Sequence, residues 1–250
     1  MRAPQQPTSE TSDSYPLSHQ LPNLLTLAAI CAGLTAIRSA VTGDFAVAVQ
    51  LILVACLLDG LDGRLARRMG SASKLGAELD SLADFLNFGV ATPLVIYFWA
   101  LHEMENAAWL AVLIFTVCCV LRLARFNIAS KSEAEIDMRF FEGLPSPAGA
   151  ILVMMPLYIA FAFPEAARIP GYAICFYMIG IGLLLVSRIP TWSFKTTRVS
   201  RHNLILFLIG SCLVGLGLLT YAWITLIVLC LGYATIVTFS IPRKVHPSLK

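Results

Sequence analysis

An all-α, polytopic membrane bundle of about eight transmembrane helices, with both termini on the cytoplasmic side, is the fold class this sequence predicts, and three observations predict it. Of its 250 residues, 58% are hydrophobic and 13% charged, with a mean hydropathy of +0.77, which leaves too little polar surface to coat a water-soluble globule. Apolar runs near the length needed to cross about 30 Å of hydrocarbon recur along the chain. The basic residues alternate between the intervening segments, 16 of the 18 Lys and Arg falling on one side if the N-terminus is cytoplasmic, the pattern of the positive-inside rule. The same composition excludes a disordered, collagen-like or disulfide-stapled chain, and no basic run interleaved with aromatics offers itself to nucleic acid.

Taken in order, residues 1–20 are polar, rich in Pro, Ser and Thr, and lack the apolar core of a secretory signal, so they are expected as a disordered cytoplasmic tail. A single transmembrane domain over 21–241 follows, with spans near 22–38, 45–61, 84–101, 107–125, 146–163, 171–188, 203–220 and 222–241, and a cytoplasmic tail over 242–250. Pro22 suits the first turn of the first helix. The last two spans form one uncharged stretch, divided at Thr220 and Tyr221 on length and supported by the charge pattern, which leaves Arg38 and Arg168 outside. Trp99, Trp109, Trp192 and Trp223 fall near boundaries and are expected as interfacial anchors. Seven cysteines lie in apolar runs with no C-x-x-C spacing and are expected as small buried hydrophobes.

Residues 58–88, LDGLDGRLARRMGSASKLGAELDSLADFLNF, depart from a generic bundle. Asp59 and Asp62 close the expected second span and Asp80 and Asp84 open the third, each pair at a spacing that puts both carboxylates on one helix face. An ionised Asp near the middle of a span costs about 2.5–3.5 kcal/mol, so four together need a compensating partner. Gly70, Ser71, Ser73 and Gly76 read as a loop that lets the two helices pack antiparallel. Oxygen donors without His or Cys select a hard cation, so Mg²⁺ or Mn²⁺ is expected, and four carboxylates suffice for two ions. Such ions commonly hold substrate phosphates. Gly63 and Ala66 leave room for a ligand against the backbone, and Arg67 is placed to donate to a phosphate.

The run Asp59-x-x-Asp62-Gly63-x-x-Ala66-Arg67, eight residues, then Gly76-x-x-x-Asp80-x-x-x-Asp84 resembles the full signature of the CDP-alcohol phosphotransferase family. The resemblance implies an integral membrane enzyme that moves a phosphoryl-linked group from a CDP-activated donor to an alcohol, releasing CMP. It implies metal ligation by Asp59, Asp62, Asp80 and Asp84, a cytidine nucleotide site at Gly63, Ala66 and Arg67 with Asp59, Asp62 and Asp80 also in contact, Asp84 as base toward the acceptor hydroxyl, a packing role for Gly76, and a homodimer. Ser211-x-x-x-Gly215 offers a close-packing face for such a dimer, or for internal packing.

Softer patterns, LPNLLTLAAICAGLTAI at 21–37, LRLARFNIAS with FFEGLPSPAGA between 121 and 150, and SRIPTWSFK at 187–195, are similar to the phosphatidylserine synthase branch. That branch implies CDP-diacylglycerol as donor and L-serine as acceptor, in the cytoplasmic membrane of a prokaryote with the active site facing the cytoplasm. Asn23 and Asn127 are expected as helix caps or ligand contacts, Asn23 toward the donor and Asn127 toward the acceptor. Arg122 and Arg125 suit a serine carboxylate or a diphosphate, Gly143, Pro145 and Pro147 a rigid turn, and Arg188 and Lys195 an anionic headgroup or plain anchoring. The alternatives are a sister transferase using glycerol phosphate, inositol phosphate or choline, an ion-coupled transporter, which would place acids near the midplane of broken helices, and an inactive scaffold.

Overall fold

A computed structural model describes residues 20–70, 73–131, 140–142, 144–166, 169–187, 190–192 and 201–240. The described residues form helices, their short links and one short ribbon. Helix α1 (Leu21–Val41) carries Pro22 in its first turn, where the missing N–H has no intrahelical partner to lose. A tight link through Gly43, at φ 87, leads to α2 (Phe45–Met69), whose N-cap Asp44 accepts from the backbone N–H of Val47. Gly70, in the left-handed conformation at φ 61, ends α2, and the Ser73 side chain caps α3 (Lys74–Asp84) by accepting from the N–H of Gly76. Each device satisfies a helix-end group that would otherwise go unpaired.

These caps move the expected boundaries. Helix α2 runs eight residues past the expected end of the second span, and the third rod starts at Lys74 rather than 84. Hydropathy marks the apolar band, whereas backbone hydrogen bonds carry a helix beyond it into polar residues such as Arg64, Arg67 and Arg68. Asp59 and Asp62 therefore sit two to three turns inside α2, and Gly76 lies within the first turn of α3 rather than in a loop.

The third rod is continuous from Lys74 to Met104 but not uniform. After α3 come a π-helical segment (Phe85–Ala91), α4 (Thr92–Ile96), a second π segment (Tyr97–Leu101) and a single 3₁₀ turn. Pro93 is the cause of the first irregularity: it has no N–H for the carbonyl of Gly89 and would crowd it in an α-helix. The π register shifts the Thr92 N–H onto Asn87 O, and the hydroxyl of Thr116 takes the released Gly89 carbonyl at 2.8 Å.

Helix α5 (Glu105–Lys131) is followed by α6 (Ser146–Val153) and α7 (Met155–Ala162). The expected fifth span is thus broken at Met154, because Pro156 cannot donate to Leu152 O. Helix α8 (Gly171–Val186) precedes α9 (Arg201–Thr220) and α10 (Ala222–Ser240), with the division at Tyr221 where it was expected. Strands β1 (Phe140–Glu142) and β2 (Pro190–Trp192) pair antiparallel in the register Phe140↔Trp192, Phe141↔Thr191. Both strands lie outside the expected spans; aromatic and β-branched residue types favour the extended chain, and Pro190 opens its strand, where a missing donor is tolerated.

Helix α1 packs along α2, α5 along α8, and α10 against α7 and α9, around a core that includes Ile52, Val95, Phe115, Met154, Leu157 and Met178. Large apolar side chains also cover the outer surface, Leu57, Leu110, Phe176, Leu213 and Leu219 among them, as expected of helices whose solvent is lipid. By length and composition, Leu21–Val41, Phe45–Met69, Lys74–Met104 and Asn106–Ala129 are able to cross a membrane; Ser146–Ala162, Gly171–Val186, Ile209–Thr220 and Ala222–Thr238 are shorter apolar helices. The chain is an integral membrane protein.

All seven cysteines are free, but Cys31 and Cys212 are exposed and Cys56 half-buried, correcting the expectation that all are interior; a small thiol is equally at home against lipid. Trp223 packs against Phe161, 4.8 Å between ring centroids, and Trp109 meets Tyr97 edge-on. The expected tails over 1–20 and 242–250, except Gln20, lie outside the described residues, as do Ser71, Gly143, Arg168, Arg188 and Lys195.

Candidate active site

Adjacent antiparallel helices bring six helix ends to one end of the bundle: the starts of α1, α3 and α6 and the ends of α2, α5 and α8. The polar residues of the sequence signature meet there. One carboxylate oxygen from each of Asp59, Asp62 and Asp80 lies within 4.8 Å of the others. Asp84, one turn beyond Asp80, adjoins Asp59 from the interior, and Asp59 also adjoins Asp80. The acids cluster at one end rather than at the midplane of broken helices, unlike the transporter arrangement.

Carboxylates this close repel unless protons or a cation lie between them. Asp62 is 3% exposed. Its Oδ2 accepts from the Thr26 hydroxyl of α1 at 2.5 Å, a hydroxyl also 3.1 Å from Pro22 O. The buried Oδ1 atoms of Asp62 and Asp84 have no hydrogen-bond partner among the described residues. Buried unpaired acceptors cost about 1–3 kcal/mol each, and an all-oxygen donor set with spare lone pairs suits a hard divalent cation. The residues present fit such an ion.

A cavity of about 160 Å³ opens beside Asp62 and Asp80, lined also by Asn23, Thr26, Gly63, Ala66, Arg67 and Gly76. Asn23 donates to Gln20 Oε1 at 3.0 Å. A side chain at Gly76 would come within 2.9 Å of Asn23 Oδ1, and a methyl at Gly63 would lie 3.7 Å from Arg67 Nη1. The signature glycines thus let α3 approach α1 and leave space under Arg67. A larger open groove of about 770 Å³ is lined by Leu25, Leu61, Leu65, Arg64, Arg67 and Arg68.

The opposite wall comes from α5. Arg122 feels Asp84 and Asp59 across the site, and its Nη1 donates to Ser146 Oγ at 2.6 Å. Arg125 turns to the end of α8, where its Nη2 donates to Val186 O at 2.5 Å. Asn127 Oδ1 accepts from Ser81 at 3.1 Å, tying α5 to α3. The structure therefore gathers Asn23, the four aspartates, Gly63, Ala66, Arg67, Gly76 and Arg122, while Arg125 and Asn127 engage neighbouring helices.

Two residues escaped the sequence reading. Thr26 lies three residues after Asn23 on one face of the otherwise apolar first half of α1, a polar pair at helical spacing that would have flagged it. Ser146, between two prolines at a helix start, carries no signal that separates it from an ordinary turn residue.

An all-oxygen carboxylate cluster flanked by arginines has the chemistry to hold a divalent ion together with a phosphate. Residues 19–192 match the model of the CDP-alcohol phosphatidyltransferase family, and the chain belongs to that family. It is 38% identical over 226 residues to the CDP-diacylglycerol–serine O-phosphatidyltransferase of Mycobacterium leprae, covering 90% of this chain and 75% of that protein. The Mycobacterium tuberculosis protein of the same name is 43% identical over 172 residues, 68% of this chain and 60% of that one. The Helicobacter pylori counterpart is 34% identical over 193 residues, 77% and 80% of the two chains.

Proposed function

We propose that this protein transfers a phosphatidyl group from CDP-diacylglycerol to the hydroxyl of L-serine, releasing CMP. The observation that carries the reading is the aspartate cluster, set between Arg67 and Arg122 at one end of the bundle; the shared name of the relatives supports serine as acceptor.

Asp59, Asp62, Asp80 and Asp84 hold Mg²⁺ or Mn²⁺, two ions in this reading. When bound, the metal neutralises the donor's diphosphate and stabilises the departing CMP. Asn23, Gly63, Ala66 and Arg67 receive the nucleotide, with Arg67 donating to phosphate, and the larger groove of Leu25, Leu61 and Leu65 leads the acyl chains in from the bilayer. Arg122 faces the acceptor's carboxylate, with Arg125 and Asn127 shaping that side. The serine hydroxyl attacks the lipid-linked phosphorus, its proton passes to the Asp84 carboxylate, and the bond to the CMP oxygen breaks.

The four shorter apolar helical stretches complete eight spans, both termini and the site face the cytoplasm of a prokaryotic cell, and the protein is a homodimer. A methyl at Gly215 would meet nothing within 4 Å, so the described chain leaves that face of α9 open to a second copy.

The test is CMP release by purified protein from CDP-diacylglycerol with Mg²⁺ or Mn²⁺, comparing L-serine with glycerol 3-phosphate, inositol 1-phosphate and choline. Serine-dependent release, lost in Asp80→Asn, is the expected result. Release with another alcohol alone would retain the family chemistry and overturn the acceptor. An Asp84→Asn variant with full turnover and normal metal binding would remove Asp84 as the base.

A further inference from the structure

Arg122 is the guanidinium on the side of the site opposite Arg67, felt by Asp84 and Asp59, and the group that holds it is neutral. Among the described residues it forms no ion pair; its Nη1 donates instead to a neutral hydroxyl, Ser146 Oγ, at 2.6 Å. Asp59 and Asp84 are close enough to be felt without being engaged. Arg125, three residues on, donates to a carbonyl at the end of α8, so the two arginines of this helix have separate tasks.

The hydroxyl that receives Arg122 is itself fixed. Ser146 is 1% exposed and opens α6 between Pro145 and Pro147, whose rings restrict the backbone on both sides. The first turn is closed by a bond from Gly149 N to Pro145 O at 3.0 Å. The Cys119 thiol, one turn before Arg122 on α5, lies 3.8 Å from the same Oγ. The Phe126 ring sits 5.8 Å from the guanidinium carbon and bounds the side chain from the next turn.

A carboxylate at this position would hold Arg122 equally well but would cancel its charge. A serine fixes the direction of the fork and leaves the full positive charge for an anion arriving between Arg122 and the aspartates. We infer that Ser146 is a positioning residue for the acceptor: it holds Arg122 in the orientation that meets the carboxylate of the incoming amino acid. The inference rests on the serine-acceptor reading above and adds to it a residue outside the aspartate signature.

Such a contact forms with the bound acceptor and persists through the transfer, so its loss raises the acceptor's KM and leaves kcat nearly unchanged. The experiment measures initial rates of CMP release by the full chain as a function of L-serine and, separately, of CDP-diacylglycerol, for wild type, Ser146→Ala and Ser146→Thr, with thermal midpoints alongside. Ser146→Ala is expected to raise KM for L-serine by about tenfold or more, in keeping with a lost hydrogen bond to a charged group, while kcat and the donor KM stay within about threefold. Ser146→Thr, which keeps the hydroxyl, is expected to restore the acceptor KM. An Ala variant with unchanged acceptor KM overturns the inference. So does a joint loss of kcat and both affinities with a lowered midpoint that Thr does not restore, since that is the mark of a merely structural serine. A wild type that turns over with another alcohol and not with serine refutes the acceptor reading alone; the role of Ser146 then stands if the same KM split appears for that alcohol and falls if it does not. A wild type inactive with every alcohol overturns both.

Discussion

The α2–α3 wall of the site and the α5–α6 wall are built on opposite principles. On the first, Asp59, Asp62, Asp80 and Asp84 crowd together, and the buried Oδ1 atoms of Asp62 and Asp84 have no partner among the described residues. On the second, Arg122, Ser146 and Arg125 are tied into bonds of 2.6 and 2.5 Å before any substrate arrives. The acidic wall is electrostatically incomplete and gains stability from a cation. The basic wall is complete in itself and keeps one charge in reserve. A two-substrate site gains from this asymmetry, because one wall changes with its ion while the other holds still.

The largest expected effect breaks the acidic wall. Asp80→Asn removes a charge from the centre of the cluster and should lower kcat/KM by about a thousandfold, the scale of a few kcal/mol of charge stabilisation. It should also abolish the rise in thermal midpoint that Mn²⁺ confers on wild type, a rise expected from linkage at about 2.7 kcal/mol when the ion is at a hundred times its Kd. Arg122→Ala should raise the KM for serine at least as far as Ser146→Ala does, yet keep the Mn²⁺-dependent rise. If the Arg122 variant lost it as well, the two walls would not be separable. A smaller effect is expected at Thr26, which holds one oxygen of Asp62 and turns the other inward. Thr26→Ala should weaken Mn²⁺ binding about 10–100-fold, the usual range for a group that orients a metal ligand, and Thr26→Ser should recover most of it. Equilibrium Mn²⁺ titration reads both variants without reference to activity.

The two walls also differ in how legible they were. Asp59 and Asp62, and Asp80 and Asp84, are spaced so that helical periodicity alone puts each pair on one face, and Gly70 with Ser73 supplies the turn that brings the faces together. Nothing about Arg122 in the sequence distinguishes it from Arg125, although one faces the site and the other clamps α8 across 61 residues; that choice is made by how α5 packs on α6 and α8. Thr26 and Asp62 meet across 36 residues, a tertiary contact no local pattern encodes. The helical rods were visible as apolar bands, but their ends were not, since caps rather than hydropathy set them. The irregular turns near Asp84 were readable in principle from Pro93, and the break at Met154 from Pro156.

The acidic wall is also held from behind, by close packing of α1. Asn87, one turn past Asp84, is 1% exposed, and a methyl on Gly33 would overlap its Oδ1. Asn87 lies in the π segment whose carbonyls are engaged by Thr92 and Thr116, so it has little freedom to retreat. Gly33→Ala should therefore destabilise the fold by about 1–3 kcal/mol, as overpacking of a dense interior does. The loss should appear as a lower thermal midpoint with or without Mn²⁺, unlike the Asp80 and Thr26 variants, whose deficits depend on the ion.

The smallest expected effects separate packing from ligand space within a single helix. Gly60 and Gly63 lie one turn apart on α2. A methyl at Gly60 meets nothing within 4 Å, and one at Gly63 meets only Arg67 Nη1 at an ordinary contact distance of 3.7 Å. Either change to Ala should be neutral or stabilising by up to about 1 kcal/mol, because Gly in a helix interior carries that much excess backbone entropy. Their kinetics should diverge. Gly63 borders the cavity with Asp62, Ala66 and Arg67, so an added methyl there should raise KM for CDP-diacylglycerol about tenfold, the effect of one misplaced methyl group in a substrate pocket. Gly60→Ala should leave both KM values within about twofold. Equal kinetics for the two variants, at equal stability, would mean that the nucleotide does not approach the backbone of α2 and that Arg67 reaches its phosphate from outside the cavity.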